Sequence, residues 1–339
     1  VARGVIAAVV CAVVATCANA QVASADTSSM KIALSNNYAG NTWRQTMLQS
    51  WEKVADPAVK QRVVAAAPTF TTAENQATEQ VQQLQNLILQ GYKGIAVDAV
   101  SPTALNGVIK QACTAGVTVV SFDGISTEPC AYRITVDFHQ LGAMQVDYLA
   151  KRLNGTGNLL EIRGLAGVSV DDEIHRGIVD ELKKYPGLKI VGSVYGNWTQ
   201  TVAQKQVASI LPTLPKIDGV VTQGGDGFGA AKAFAEAGRP TPIIILGNRQ
   251  EELAWWADQR KSGYQTMSVT IPPGASTFAF WVTQQLLAGK KLPHDLRMPL
   301  MEVKADELDA ILAKTPQGGL ANKEYTRDEV LAIVDKQKP

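Results

Sequence analysis

Short apolar runs alternate with segments of helical spacing along almost the whole chain. KIALS, from Lys31, precedes a helix expected over about 42–55. QRVVAAA, from Gln61, precedes one over about 72–90, closed by Gly91 at a C-cap position. GIAVDAV precedes SPTALNGVIKQACTAG, where Ser101 suits the N-cap, Pro102 the first helical position and Gly116 the end. VTVVSFD and RITVDF follow. The pattern then restarts: NLLEIRG before a helix over about 170–184, KIVGSVYG before TVAQKQVASIL, GVVTQGG before FGAAKAFAEAG, and TPIIILGN before EELAWWADQRKSG. Strands apolar throughout, each followed by a helix, predict parallel sheets covered on both faces. Two such series predict an α/β protein of two Rossmann-like, doubly wound lobes.

Length agrees with two lobes, because 339 residues exceed the size at which one core stops growing. The net charge is +1, with Lys and Arg dispersed rather than in a stripe, so nucleic acid is not an expected partner. The N-terminus reads as a signal peptide over 1–20. Arg3 is a short basic region, Val5 to Thr16 is apolar but too short to span a bilayer, and Ala18-Asn19-Ala20 is a small-x-small cleavage site. A lipid-anchored reading of Cys17 is weaker, since Thr16 stands where a smaller residue is wanted. The expected product is exported, periplasmic and soluble. Removing the leader removes Cys11 and Cys17 and leaves Cys113 and Cys130. In an oxidising compartment an isolated pair favours a disulfide; two unrelated buried thiols are the alternative.

Chemistry that would mark an enzyme is missing from the pattern. There is no GxxxxGK[ST] loop, no GxSxG and no HExxH, and QGGDGFG does not follow the first strand. QGGDGFG reads as a tight strand-to-helix turn, with Asp226 at the positive end of the helix dipole. His139, His175 and His294 are far apart in sequence and suggest no metal site. No cofactor is expected.

The polar residues gather at strand ends, where open α/β sheets bind ligands. SNNYAGNTWR, after the first strand, offers the amides of Asn37 and Asn41, the flat face of Trp43 and the donor fork of Arg44. Amides and guanidinium groups satisfy sugar hydroxyls, and aromatic rings stack on the C–H faces of a sugar. Structural readings stand beside these. Asn41 is placed to cap the first helix, and Trp43, Met47 and Trp51 share the spacing of a core stripe.

Here the sequence resembles the type I periplasmic binding proteins of ABC transporters, in the ribose-binding-like branch. The resemblance covers about 30–303. It rests on the order of IAL with its Asn-rich loop, GYKGIAVDAVSPTAL, AGVTVVSFDG, LLEIRGLAGVSV, GVVTQGGDG and IIILGNR. It implies ligand contacts at Asn37, Asn41, Trp43, Arg44, Asp123, Trp198 and Thr270. Asp123 would accept from two sugar hydroxyls, and Trp198 would close over the ring; a turn Asp and an ordinary interfacial Trp are the alternatives. It also implies a three-crossing hinge near Val136, Thr270 and Met298. The lobes would then be 30–136 plus 271–297 and 137–270 plus 298–339.

Departures from the family pattern bear on the ligand. Gly124 stands where an Arg or another large polar residue is frequent, and Ile174 stands at another usual Arg position. Asp171 and Asp172 lie close by at the helix start and are candidates to take over polar contact, although the helix dipole alone would explain them. Gly224 and Gly225 replace an expected Asn, ahead of Asp226, which is a further candidate for ligand contact. Arg249 replaces an expected Asp. Ribose itself is therefore a poor guess. Another monosaccharide or a polyol is expected, with a sugar acid as the alternative because Arg44 and Arg249 suit a carboxylate. The resemblance implies a monomeric solute receptor that performs no chemistry and delivers its ligand to an ABC permease and its ATPase. A sensor that presents ligand to a chemoreceptor or kinase is the rival of the same fold.

Overall fold

The computed structural model describes residues 25–337, apart from 75 and 168. The leader expected over 1–20, with Cys11 and Cys17, lies outside the described residues. The elements run β1 (Ile32–Asn36), α1 (Thr42–Lys60), β2 (Thr69–Thr71), α2 (Ala77–Leu89), β3 (Gly94–Asp98), α3 (Asn106–Thr114), β4 (Thr118–Phe122) and β5 (Tyr132–Thr135). Then follow α4 (Phe138–Arg152), β6 (Thr156–Arg163), α5 (Ser169–Leu182), β7 (Gly187–Tyr195), α6 (Gln200–Ile210), β8 (Gly219–Val221), α7 (Gly227–Glu236), β9 (Ile243–Ile244) and α8 (Gln250–Gln259). The chain closes with β10 (Ser268–Thr270), α9 (Ala275–Leu287), β11 (Asp295–Arg297), β12 (Met301–Val303), α10 (Leu308–Leu312) and α11 (Arg327–Val334).

Two sheets result. The first has the order β2-β1-β3-β4-β5-β11 and is parallel throughout. The second has the order β7-β6-β8-β9, also parallel. A bridge from Leu246 to Ser268 carries it on to β10, which pairs antiparallel with β12. Each sheet is covered on both faces, which is why β1 and β3 are buried at every residue and carry no polar alternation. Trp51, Phe278 and Phe280 fill one face of the first sheet, and Leu84, Leu87, Val108 and Ile109 the other. Val207, Phe234 and Trp256 fill one face of the second, and Leu141, Val146 and Ile178 the other. These are the two lobes. The chain passes between them after β5, after β10 and after β11, and once more between Ala321 in the second core and Tyr325 in the first.

The structure departs from the sequence reading in three places. The apolar run QRVVAAA is not a strand. Val64 is buried in the first core, only Ala66 makes an isolated bridge, to Lys31, and the strand falls later at β2. Ser101 does not start α3; its hydroxyl accepts from the amides of Thr103 and Ala104 in a preceding turn. The tail, placed with the second lobe by the sequence division, returns to the first. Tyr325, Val330 and Val334 are buried in the core that contains Trp51 and Phe278, and Tyr325 meets Phe278 edge-on at 5.4 Å. Burying that apolar face against α9 leaves the polar face of α11 in water.

Cys113, in α3, is bridged to Cys130, in the loop after β4, with the Cα atoms 6.4 Å apart. The bond fixes a helix to the loop beyond the sheet strand that the helix covers.

Candidate functional site

Parallel pairing aligns the carboxyl ends of the first-lobe strands, and their polar residues converge there. Asn36, the last residue of β1, is in register with Asp98, the last residue of β3, and Asp123 follows the end of β4. Asn41 caps α1, its side chain accepting from the amide of Arg44 at 2.8 Å. The cap sets Arg44 in the first turn of the helix. From there its guanidinium pairs with both Asp98 and Asp123, the latter at 2.9 Å. Asp98 is fully buried, and its Oδ1 accepts from the Asn37 amide and from the Gly124 backbone, each at 3.1 Å. Asn37 is thus occupied in holding Asp98.

Asp98 was not among the residues expected from sequence. Its signal was there: a carboxylate that ends a wholly apolar strand has to be held by partners. The same contacts account for Gly124, where larger polar residues were expected. A Cβ at that position would lie 2.3 Å from the Ala99 carbonyl and 2.6 Å from Asp98 Oδ1. The strand end turns here, and Asp123 takes a left-handed φ of 54°; the residue is exposed, with about 27% of its side chain accessible.

Trp43 is half-buried against the first core, as its stripe spacing suggested. Its indole Nε1 donates to the Ile271 carbonyl at 3.1 Å, and its ring lies 5.6 Å from the Arg44 guanidinium.

The second lobe builds a matching cluster at its own strand ends. Arg163, the last residue of β6, pairs with Asp171 and with Asp172, the latter at 3.0 Å. Asp171 is fully buried and also accepts from Gly164 N at 2.9 Å and from Gln223 at 2.8 Å. Trp198 has a left-handed φ of 52° and donates from Nε1 to Gln223 Oε1 at 3.2 Å. Arg249 donates to the carbonyls of Gly225 at 2.9 Å and Trp198 at 3.3 Å. Gly224 and Gly225, both left-handed, let the chain fold back close to that guanidinium; a Cβ on Gly225 would be 2.9 Å from Arg249 Nε. Thr270 ends β10 and is half-buried, with its hydroxyl facing Gly224. Arg163 and Gln223 were absent from the sequence reading, although each sits at a strand end as the named residues do.

Asp226 differs from the others. It is fully buried, and among the described residues neither of its carboxylate oxygens has a hydrogen-bond partner. Burial first, and the nearby Glu252 carboxyl second, push its pKa well above the usual carboxylate range, with Arg249 opposing. Glu252 is itself raised by burial, against the amides of Gly247, Arg249 and Gly227 that stabilise its charge. This pair lies beneath the Arg249 turn, closed to solvent.

A cavity of about 370 Å³ opens where the lobes meet. It is lined by Asp123 and Phe122 at the end of β4, by residues of the first three crossings, including Val136, Ile271 and Met298, and by Glu173 of α5. Its apolar wall and few polar groups are the usual composition of a small-molecule pocket. Among the described residues, no hydrogen bond or ion pair joins the Arg44 cluster to those of Arg163 or Arg249. Nor do they include a group of His, Cys, Asp and Glu able to hold a metal ion. The geometry can hold a small polyhydroxyl compound between facing strand ends.

Known proteins agree with this architecture. A solved ABC transporter solute binding protein from Thermobispora bispora is 33% identical, with a TM-score of 0.78 over 91% of this chain and 95% of the other. The xylitol-binding protein of Mycolicibacterium smegmatis is 32% identical over 181 residues, 52% of each chain. The D-apiose import binding protein of Actinobacillus succinogenes is 27% identical over 51% of this chain and 57% of its own length. The chain thus spans about half the length of these curated relatives. The model of the periplasmic binding protein domain matches residues 32–291. Its members hold solutes and perform no reaction, and this chain, with its two parallel-sheet lobes and a cavity at their junction, belongs to that family of periplasmic binding proteins.

Proposed function

We propose that the protein is the extracytoplasmic solute receptor of an ABC importer and that it binds a monosaccharide or polyol between its lobes. The observation that carries this reading is the convergence of Arg44, Asp98 and Asp123 at strand ends beside an interlobe cavity. The names of the relatives, a xylitol-binding protein and a D-apiose import binding protein, supply the ligand class. Asp123 accepts hydroxyl donors; Trp43, Arg44, Asp172, Trp198 and Thr270 supply the remaining contacts as the lobes close, with Arg249 holding the carbonyls of Gly225 and Trp198. Asn37 and Asp171 hold the strand ends in place, and Asn41 caps α1. A micromolar ligand needs about −8 kcal/mol, which a few charge-assisted bonds and one stacked ring supply when the lobes are preorganised. The closed form would then dock on a permease driven by a separate ATPase.

A thermal-shift screen of pentoses, hexoses and polyols tests the reading. Ligand at 100 times its dissociation constant adds about 2.7 kcal/mol, enough for a clear rise in melting temperature. No rise with any member of the panel would count against carbohydrate binding.

A further inference from the structure

The two arginines that suggest an acidic ligand are both occupied. Arg44 faces two carboxylates, Asp98 and Asp123, and also reaches Asn36 Oδ1 at 3.4 Å. Arg249 is spent on two backbone carbonyls. The first-lobe cluster therefore carries one positive and two negative charges. Asp98 is the buried member, and Asn37 and Gly124 N fix it from the other side, so it cannot swing away when a ligand arrives. Around the adjoining cavity Asp137 is paired with Arg297 at 2.8 Å and Glu173 with Arg176, so neither leaves a guanidinium free. An incoming carboxylate would meet Asp123 with no free guanidinium to receive it, and like charges in a partly desolvated cleft repel strongly.

We propose that Asp98 is the charge-selectivity residue of the cleft: by saturating Arg44 it opens the first lobe to uncharged polyhydroxyl ligands and closes it to their carboxylate counterparts. Asp98 acts through Arg44 and does not itself touch ligand. This inference rests on the carbohydrate reading above and narrows it to the neutral class.

The test uses matched pairs that differ only in charge: xylitol with xylonate, glucose with gluconate, and galactose with galacturonate. Titration calorimetry on the wild-type protein should find a neutral member that binds and an acid partner at least about 30-fold weaker. Asp98→Asn keeps an acceptor for Gly124 N but removes the charge that neutralises Arg44. In that variant the neutral-to-acid ratio should fall at least about tenfold, with the acid binding tighter than to wild type. A purely structural role would weaken both members alike and leave the ratio unchanged, and that result would overturn the proposal. Asp123→Asn, at the exposed partner of the same guanidinium, gives a second measurement if Asp98→Asn fails to fold; it too should lower the ratio. Equal binding of acid and neutral members by the wild-type protein would overturn the charge inference alone. Absence of binding by every compound would overturn the carbohydrate reading and this inference with it.

Discussion

The indole of Trp43 donates to the carbonyl of Ile271, 228 residues further along the chain, at 3.1 Å. Trp43 opens α1 in the first lobe, and Ile271 begins the passage from β10 to α9. The ring also lies against Arg44, so one side chain joins the strand-end cluster to the crossing after β10. Trp43→Phe keeps most of the packing and removes the donor. We expect a loss of about 1 kcal/mol in urea unfolding and a severalfold weaker ligand, because the Ile271 carbonyl loses its partner and the crossing its anchor. Wild-type values for both would show that the bond has no mechanical role.

Asp123 is the exposed carboxylate of the first-lobe cluster. Replacing it by Ala should weaken binding of the identified sugar or polyol by about tenfold to a hundredfold, or 1.5–3 kcal/mol. Its exposure predicts little change in the melting temperature of the free protein. Calorimetry on the variant checks the first expectation and a thermal melt the second; a variant that binds like wild type would remove Asp123 from the site.

The bridge between Cys113 and Cys130 closes a loop with a sequence separation of 17. Loop-closure entropy assigns it about 3 kcal/mol. Unreduced, denatured protein should show no thiol from either residue, and reduction should expose both. A double Cys→Ser variant should unfold at lower denaturant by the corresponding amount; an unchanged midpoint would mean that the covering of α3 alone holds that loop.

Asp226 makes stability depend on pH in a definite direction. Burial, and after it the Glu252 carboxyl, push its folded pKa well above the unfolded value of about 3.9. Below that value both states are protonated and nothing is lost. As pH rises from there to the folded pKa, the unfolded chain releases a proton that the native state keeps, and stability falls. Asp226→Asn removes this penalty. Its gain in melting temperature over wild type should therefore be larger at pH 8 than at pH 5, and two parallel melting curves across that range would contradict the assignment.

Much of this architecture is legible in the sequence because a parallel strand buried on both faces has nowhere to hide a polar residue. GIAVDAV and TPIIILGN announce themselves for that reason. The edge strand β2 does not, since its half-exposed Thr-Phe-Thr carries less signal than the apolar turn before it. The tail helix shows an apolar face in sequence, but periodicity says only that a face is buried, not on which of two cores. Among the candidate residues, the charged or aromatic Trp43, Arg44, Asp123 and Trp198 stand out as residue types. Asp98 carries a signal as a carboxylate closing an apolar strand, but its partners, and the roles of Arg163 and Gln223, emerge only when pairing brings their strand ends beside those groups. A linear reading sees each of them as one polar residue closing an apolar run.

The return of α11 to the first core gives the two halves different folding schedules. The sheet of the second lobe is complete in β6 to β9, a continuous stretch of chain, and needs only β10 and β12 to extend it. The first core joins Ile32 and Trp51 to Phe280 and then to Val334, nearly the full length of the polypeptide. Such remote contacts form slowly because long loops must close first. By this argument the first lobe should mature last. Pulse-labelled hydrogen exchange during refolding should find the amides of β6 and β8 protected before those of β1 and β3; the reverse order would mean that the first sheet closes without its tail.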